Sequence, residues 1–157
     1  MFEAKIISIQ RYCHQVSITN NNSLIKEINA YFLSKIYTSY LSLFYSCYIP
    51  VGVKIRGSIK FNHSFHNIFI SEHSEIGCGC TILQNTTIGS NQPKDNKAPK
   101  IGNNVFIGAN CNIIGGVEIG DNCIIGAGTT IAKGVIPPNS VVVGQKYKII
   151  DRSECNE

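Results

Sequence analysis

The sequence has no long apolar run, although 43% of its 157 residues are hydrophobic. A membrane-spanning helix needs about 20 consecutive and mostly apolar residues, so we predict no such span. The first ten residues, MFEAKIISIQ, also lack a basic stretch followed by an apolar run and small cleavage residues, so we expect no signal peptide. Length and composition predict a soluble protein with one globular domain, located in the cytoplasm.

Strong charge of either sign is missing as well. Fourteen Lys and Arg against ten Asp and Glu give a formal net charge of +4, which is too weak and too dispersed to indicate a nucleic-acid partner. The seven cysteines include one CxC, Cys78 and Cys80, but no second pair at the spacing of a zinc site. Their odd number and the lack of a secretion signal disfavour disulfides. We therefore expect structural cysteines and no metal.

What the sequence does contain is a repeat of six residues. Aliphatic residues recur at this spacing, with one break, at Ile70, Ile76, Ile82, Ile88, Ile101, Ile107, Ile113, Ile119, Ile125 and Ile131. Pro137 takes the next place, and Val143 is expected to resume the series. A short side chain follows four residues after the aliphatic position, at Cys80, Thr86, Val105, Cys111, Val117, Cys123, Thr129, Val135 and Val141.

This period predicts the fold class. A helix repeats about every 3.6 residues and a strand every second residue, so a strict period of six fits neither. It fits short strands joined by tight corners, with three hexads per turn of a triangular solenoid whose aliphatic side chains stack inward. A string of hairpins would not keep one phase through so many members. Glycines after the aliphatic position are expected to supply the freedom of the corners, together with Asn103, Asn104, Asn110 and Asn122.

The first 48 residues lie outside the repeat. Residues 1–16 fit a helix or a strand equally well, and residues 17–23 form a polar break. From Ser23 we predict a helix that Pro50 stops, with a stripe at Ile25, Ile28, Phe32, Ile36, Tyr40 and Leu43. We favour packing of this stripe against the solenoid or a partner subunit over peripheral membrane association, because its polar face has few Lys and Arg.

Two insertions interrupt the solenoid. Ile49, Ile55 and Phe61 are already six residues apart, so the solenoid is expected to begin near Ile49. The wider spacing from Phe61 to Ile70 implies extra residues in FNHSFHNIF, and the polar stretch NQPKDNKAPK forms a second insertion before the repeat returns. Loops on a rigid scaffold often carry sites, so both insertions are functional candidates.

The chain resembles the left-handed β-helix acyltransferases, on hexads such as IGANCNIIGGVEIGDNCIIGAGTTI. The run FNHSFHNIFISEHSEIGCGCTILQNTTIG is similar to a segment of serine acetyltransferases and bacterial polysaccharide O-acetyltransferases. The resemblance implies a mainly β fold, a left-handed parallel β-helix of hexapeptide repeats with a short N-terminal helical region. The implied division is an N-terminal helical region over 1–48, the β-helix acyltransferase domain over 49–150, and a tail over 151–157.

The resemblance also implies a function, which is acetyl transfer from acetyl-CoA to a hydroxyl in a site shared between the subunits of a homotrimer. His63 matches the family's catalytic histidine, and an imidazole suits a base that deprotonates an alcohol near neutral pH. The remaining matches are Ala109, Ala127, Lys146 and Lys148 for acetyl-CoA, and Asn62 and Gln84 for the acceptor. No metal is required.

Departures from the family's serine enzymes favour a sugar as the acceptor. Ala98 stands where those enzymes carry a second histidine, Tyr48 where they carry an orienting aspartate, and Asn62 where they carry an aspartate before the base. A sugar hydroxyl needs no charged partners, and Phe65 and Tyr48 offer it an aromatic wall. The alternatives are a serine O-acetyltransferase, a zinc enzyme of the carbonic-anhydrase type that uses three histidines, and a non-catalytic solenoid. The three histidines would be His63, His66 and His73.

Overall fold

The computed structural model describes residues 24–62, 66–91 and 97–144. Within these ranges it contains one helix and fourteen short strands. The helix α1 spans Leu24–Tyr45. The strands are β1 (Lys54–Ile55), β2 (Ile59–Phe61), β3 (Phe69–Ile70), β4 (Glu75–Ile76), β5 (Cys80–Ile82), β6 (Thr87–Gly89), β7 (Lys100–Ile101), β8 (Phe106–Ile107), β9 (Asn112–Ile114), β10 (Glu118–Ile119), β11 (Ile124–Ile125), β12 (Thr130–Ile131), β13 (Val135–Ile136) and β14 (Val141–Val142).

The strands form three parallel sheets, and the chain visits them in turn. Sheet 1 has the order β1-β4-β7-β10-β13, sheet 2 the order β14-β11-β8-β5-β2, and sheet 3 the order β12-β9-β6-β3. In the regular part a residue pairs with the residue eighteen positions earlier, as Ile131 does with Ile113. Three hexads therefore make one turn, and the predicted β-solenoid is confirmed.

The register locates the two insertions. Lys54 pairs with Glu75, twenty-one residues later, so the turn through residues 62–66 holds three residues more than the regular turn. Glu75 pairs with Lys100, twenty-five residues later, so the turn through residues 91–97 holds seven more. Both interruptions fall where the sequence predicts them, and the strands return to register after each.

The core is the stack of inward hexad positions. The aliphatic residues from Ile70 to Ile131 are all buried, and so are the short side chains Cys80, Thr86, Val105, Cys111, Val117, Cys123 and Thr129. The thiols of Cys80, Cys111 and Cys123 each lie 3.2 Å from a backbone carbonyl of the following turn. Burial raises the pKa of the Cys80 thiol, and a backbone hydrogen bond from Val105 opposes that shift. Cysteine thus fills the small inward position as expected.

The predicted phase of the last turn is wrong. Ile136, rather than Pro137, pairs with Ile119, and the pairing spans seventeen residues instead of eighteen. One residue is missing from the turn after Ile131, so the strict count no longer identifies the inward side chain. Val143, which the count would place in the core, is 74% exposed.

The same slip exposes Val135 and Val141, which the sequence analysis assigned to the small inward position. They are outward residues of β13 and β14. The shortened corner includes Gly134 at φ 106°, a conformation that side chains with a Cβ rarely adopt. A glycine therefore permits the tighter connection, and the regular spacing ends there.

The roles of asparagine and glycine at the corners differ in part from the prediction. Asn104, Asn110 and Asn122 have positive φ, as expected, whereas Asn103 does not. At some corners the glycine that follows the aliphatic position is needed for space. A Cβ on Gly108 would lie 2.6 Å from the backbone nitrogen of Ala127 in the next turn. The two stacked corners approach too closely there for a side chain.

Helix α1 is confirmed, but the predicted stripe does not pack against the solenoid. Among the helix residues whose side chains are described, the buried ones are Tyr37 and Leu41, which belong to the same cluster as Cys47 and Ile49 of the first turn. The described residues of the stripe are largely exposed in the single chain, and Leu43 reaches 78% exposure, so packing of the stripe against a partner subunit stays a prediction. Because α1 is apolar on two sides, helical spacing alone cannot select the side that packs. No helix in the described ranges is long and apolar enough to cross a membrane.

Ser74 provides a test of the core. Its side chain is fully buried at a small inward position, and its Oγ has no hydrogen-bond partner. A buried unsatisfied hydroxyl costs about 1–3 kcal/mol, so Ser74→Ala is expected to raise the free energy of unfolding by about 1 kcal/mol in urea denaturation. The matched control is Thr86→Val, which removes a hydroxyl that donates to the Gly108 carbonyl at 3.3 Å and should give no gain. An equal gain in both variants would contradict this account.

Candidate active site

Four of the residues predicted for the site lie on one edge of the solenoid. We call this corner, where each turn passes from sheet 2 to sheet 3, the 2/3 edge. Asn62 follows β2, Gln84 follows β5, Ala109 follows β8 and Ala127 follows β11. Hydrogen bonds join the successive turns, from Asn110 N to Gln84 O at 3.1 Å and from Gly128 N to Ala109 O at 2.8 Å. The sequence-predicted residues thus form a column.

The remaining predicted residues lie outside the described part of the chain. His63 falls in the gap between the described residues Asn62 and His66. Lys146 and Lys148 follow Gly144, where the described chain ends after β14 on sheet 2. Their roles as base and as phosphate ligands stay predictions.

Gln84 has a distinctive environment on this edge. Its Oε1 is buried and has no hydrogen-bond partner, and such an acceptor carries the full cost of desolvation. Ala109 is partly buried and Ala127 is exposed, so small side chains occupy the two turns beyond it. The column therefore combines a buried acceptor oxygen that has no partner with an edge along which an extended ligand meets little steric obstruction.

The two other histidines considered for a zinc site stand on different edges. His66 is exposed on the 2/3 edge, and its ring lies 5.4 Å from that of Tyr45. His73 is exposed beyond β3, at the corner between sheets 3 and 1. No group of three possible ligands lies together among the residues that the structure describes. Because His63 is outside those residues, the expected absence of a metal stays an expectation.

A cleft opens on the corner between sheets 3 and 1, which we call the 3/1 edge. It encloses about 630 Å³ and extends over the outer face of sheet 1. Ala98 lines this cleft with Lys97, Glu72 and His73, so the position of the missing second histidine is not on the 2/3 edge. The cleft was not predicted from the sequence, although the charged residues at the outward position of successive sheet 1 strands indicated a charged surface there.

The floor of this cleft is an ionic ladder. Along sheet 1 the outward residues alternate as Lys54, Glu75, Lys100 and Glu118, in register. Lys54 Nζ lies 3.0 Å from Glu75 Oε1, and Lys100 Nζ lies 3.3 Å from Glu118 Oε1. The hydrogen bond from Lys54 lowers the pKa of the Glu75 carboxyl, against a smaller desolvation effect. The cleft therefore offers both signs of charge.

Tyr48, which the resemblance matched to an orienting aspartate, pairs in parallel with Phe69 at the start of sheet 3. It is 50% exposed. A tyrosine cannot supply the carboxylate that the serine enzymes use, so orientation of a base by this residue would have a different chemical origin.

The stacked hexads, with two insertions at the corners and a column of small and polar residues along one edge, define a hexapeptide-repeat β-solenoid. The sequence comparisons assign it further. Residues 98–133 match the family model "Bacterial transferase hexapeptide (six repeats)". The chain is 31% identical over 140 residues to the putative colanic acid biosynthesis acetyltransferase WcaB of Escherichia coli K12, covering 88% of this chain and 85% of WcaB. The chain therefore belongs to the hexapeptide acetyltransferase family, as the sequence resemblance predicted.

Serine acetyltransferases are the other group of relatives. The probable serine acetyltransferase 3 of rice is 33% identical over 71 residues, which are 45% of this chain and 23% of the rice protein. The serine acetyltransferase of Neisseria gonorrhoeae, solved in complex with serine, superposes with a TM-score of 0.69 at 27% identity. That comparison covers 92% of this chain but 55% of the Neisseria chain. The chain thus spans about half the length of the Neisseria enzyme, and its match to the rice protein covers under a quarter of that protein.

Proposed function

We propose that this protein transfers an acetyl group from acetyl-CoA to a hydroxyl of a sugar, on a surface polysaccharide or its precursor. The observation that carries the proposal is the column on the 2/3 edge, because residues assigned separately to donor and acceptor fall on successive turns of one corner. Its support from relatives is the match to WcaB, which covers most of both chains and carries a polysaccharide name.

In this proposal His63 is the general base. Its imidazole removes the proton of the sugar hydroxyl as the oxygen attacks the thioester carbonyl of acetyl-CoA. The tetrahedral intermediate then collapses with loss of the CoA thiolate, which takes the proton back from the imidazolium. The products are the sugar acetate and CoA, and no covalent enzyme intermediate is needed. Gln84 is the residue proposed to bind the acceptor, and rotation of its amide toward the ligand would give its buried, unpartnered Oε1 a hydrogen bond.

The donor would lie along the upper column. Ala109 and Ala127 leave room for the pantetheine chain, and Lys146 and Lys148 would hold the phosphates beyond Gly144. A path along the edge matches the extended shape of the donor. It also separates the nucleotide from the loop that carries His63.

A homotrimer would complete this site. Sheet 2 presents the outward apolar residues Phe106, Ile124 and Val141, which pair in register on successive turns. All three are exposed in the single chain, and a contiguous apolar column favours contact with another subunit. We propose that sheet 2 contributes to the contacts between copies.

Serine O-acetylation is a second candidate, favoured by the cleft at the 3/1 edge. A free amino acid carries an ammonium and a carboxylate, and the cleft is lined by Lys97, Glu72 and the ionic ladder. A sugar hydroxyl would not need this set of charges. The lack of charge at Ala98 and Tyr48 keeps the sugar as the first candidate.

The role of His63 is tested by substitution. His63→Ala should lower kcat by about 10²- to 10⁴-fold, because proton transfer from the hydroxyl is lost, while acetyl-CoA affinity measured by calorimetry stays nearly unchanged. His66→Ala is the matched control, since His66 is three residues away and exposed, and it should cost far less. Equal losses in the two variants would show that the base is assigned to the wrong residue.

The trimer is tested by placing charge on the apolar column. Wild-type protein should scatter light with three times the mass of one chain, and Ile124→Glu should shift it toward the monomer because burial of an unpaired carboxylate is costly. Thr130→Glu, on the outer face of sheet 3 in the same turn, should leave the assembly intact. A monomeric wild-type protein under active conditions would contradict both the trimer and the shared site.

The acceptor is tested by kinetics. Acetyl-CoA consumption should be faster with at least one member of a panel of hexoses and their methyl glycosides than with L-serine, because the site lacks the charged groups of the serine enzymes. Lys97→Ala should leave the sugar reaction within about threefold, whereas a serine reaction that uses the cleft should fall. A specificity constant for L-serine of about 10⁴ M⁻¹s⁻¹ or more, above that of every sugar, would reverse the two candidates.

A further inference from the structure

The three outer faces of the solenoid differ in chemistry. The strands of sheet 1 present the ionic ladder, and those of sheet 2 become apolar from β8 onward. The strands of sheet 3 read FI, TIG, NII and TI, with no charged residue. Sheet 3 is therefore the one face of the described solenoid built from neutral side chains in all its strands.

Two aromatic side chains begin this face. Tyr48 and Phe69 are parallel partners at the lower end of sheet 3, which places their backbones one strand spacing apart, about 4.8 Å. Their exposures are 50% and 48%. Neither residue belongs to the core cluster, and two half-exposed aromatic side chains on neighbouring backbone segments can form a surface that a flat apolar group covers.

Neutral hydrogen-bonding groups continue the column above the rings. Phe69 pairs with Thr87, Thr87 with Asn112 and Asn112 with Thr130. All are outward residues of their strands. Asn112 Nδ2 and Thr130 Oγ1 are only weakly engaged with each other, at 3.5 Å. Hydroxyl and amide groups of this kind can both donate and accept.

Both insertions border this same face. The loop through residues 62–66 enters sheet 3 at β3, and the loop through residues 91–97 leaves it after β6. The strands that carry Phe69 and Thr87 thus lie between the loop of the proposed base and the cleft at the 3/1 edge. A ligand on this face would be within reach of the 2/3 edge.

We propose that the outer face of sheet 3 is a saccharide-binding platform, with Tyr48 and Phe69 packing against the apolar face of a sugar ring and Thr87 and Asn112 binding its hydroxyls. A pyranose presents ring C–H groups on a face and hydroxyls around its rim, which matches aromatic rings followed by neutral donors and acceptors. The platform rests on the proposed function, since it supplies the binding surface for the sugar that is to be acetylated.

Saturation-transfer NMR on the full-length protein tests the platform without turnover. The probes are the methyl glycosides of glucose, galactose and N-acetylglucosamine. Ring C–H protons of at least one probe should receive saturation from the wild type. Phe69→Leu and Tyr48→Leu should each weaken its binding about 10-fold, which corresponds to about 1.4 kcal/mol for one packed ring. Tyr48→Phe, which keeps the ring, should retain it.

Leucine separates a saccharide platform from a general apolar contact, since it stays apolar but is not flat. Phe106→Leu, a change of the exposed ring on sheet 2, is the matched control and should bind the probe as the wild type does. No saturation of any probe by the wild type, or equal binding by Phe69→Leu, would overturn the platform. A change of scattering mass in Phe69→Leu or Tyr48→Leu would also overturn it, by assigning the face to contacts between copies.

The same variants distinguish this inference from the proposed function. In the acetylation assay Phe69→Leu should raise the KM for the sugar about 10-fold, with kcat and the KM for acetyl-CoA within about threefold. An active enzyme whose sugar KM is unchanged in Phe69→Leu would overturn the platform and leave the function standing. Sugar binding that depends on Phe69 in a protein without acetyl transfer would support the platform and contradict the function.

Discussion

In-register stacking of the eighteen-residue turn is the constraint on which the molecule depends. Ile113 and Ile131 meet because one turn separates them, and each such contact removes apolar surface from water at about 25 cal/mol per Å². No single turn buries both sides of its own inward residues, so stability comes from neighbours. An insertion or deletion must therefore occur at a corner, and the chain must return to register after it.

That constraint leaves the outward positions free to vary, which explains how one repeat carries three surfaces. The inward residues of sheets 1, 2 and 3 are alike, whereas the outward residues are ionic along β1 to β10 of sheet 1, apolar from β8 onward in sheet 2 and uncharged in sheet 3. The asparagine corners are part of the constraint, since Asn122 sits between Asn104 and Asn139 with side-chain contacts of 3.3 and 3.1 Å. Packing fixes the interior and the corners, so the outer faces and the insertions are the parts that can vary with function.

The sequence predicts well those parts in which one force dominates. The buried positions from Ile70 to Ile131 follow from periodicity, because every turn repeats the same environment. The last turn fails because a single missing residue at the Gly134 corner shifts the phase, and spacing alone cannot detect a deletion that keeps aliphatic residues on both sides. The side of α1 that contacts the solenoid was not predicted for another reason, since Tyr37 and Leu41 compete with an equally apolar stripe and only the shape of the first turn selects between them.

The candidate site shows the same contrast between residues inside the regular repeat and residues outside it. Gln84, Ala109 and Ala127 hold regular places in the hexads, so their alignment on one edge follows from counting, while His63, Lys146 and Lys148 lie in departures from the repeat. The cleft at the 3/1 edge could not be found by counting, because it depends on a loop length and on side chains from four turns.

One insertion precedes β3 and the other follows β6, so the two insertions lie on either side of sheet 3. Each insertion interrupts the stacking of turns at its own edge. Because the two insertions lie on either side of sheet 3, both interruptions border the same face. A solenoid whose loops served only as connections would gain nothing from that arrangement, because each loop would be equally tolerable at any corner. The neutral face of sheet 3 lies between the loop of the proposed base and the mixed-charge cleft, so an acceptor bound there would contact elements that the repeat itself does not supply. The position of the insertions, more than the identity of any one residue in them, is the argument for the proposal that this face binds the acceptor.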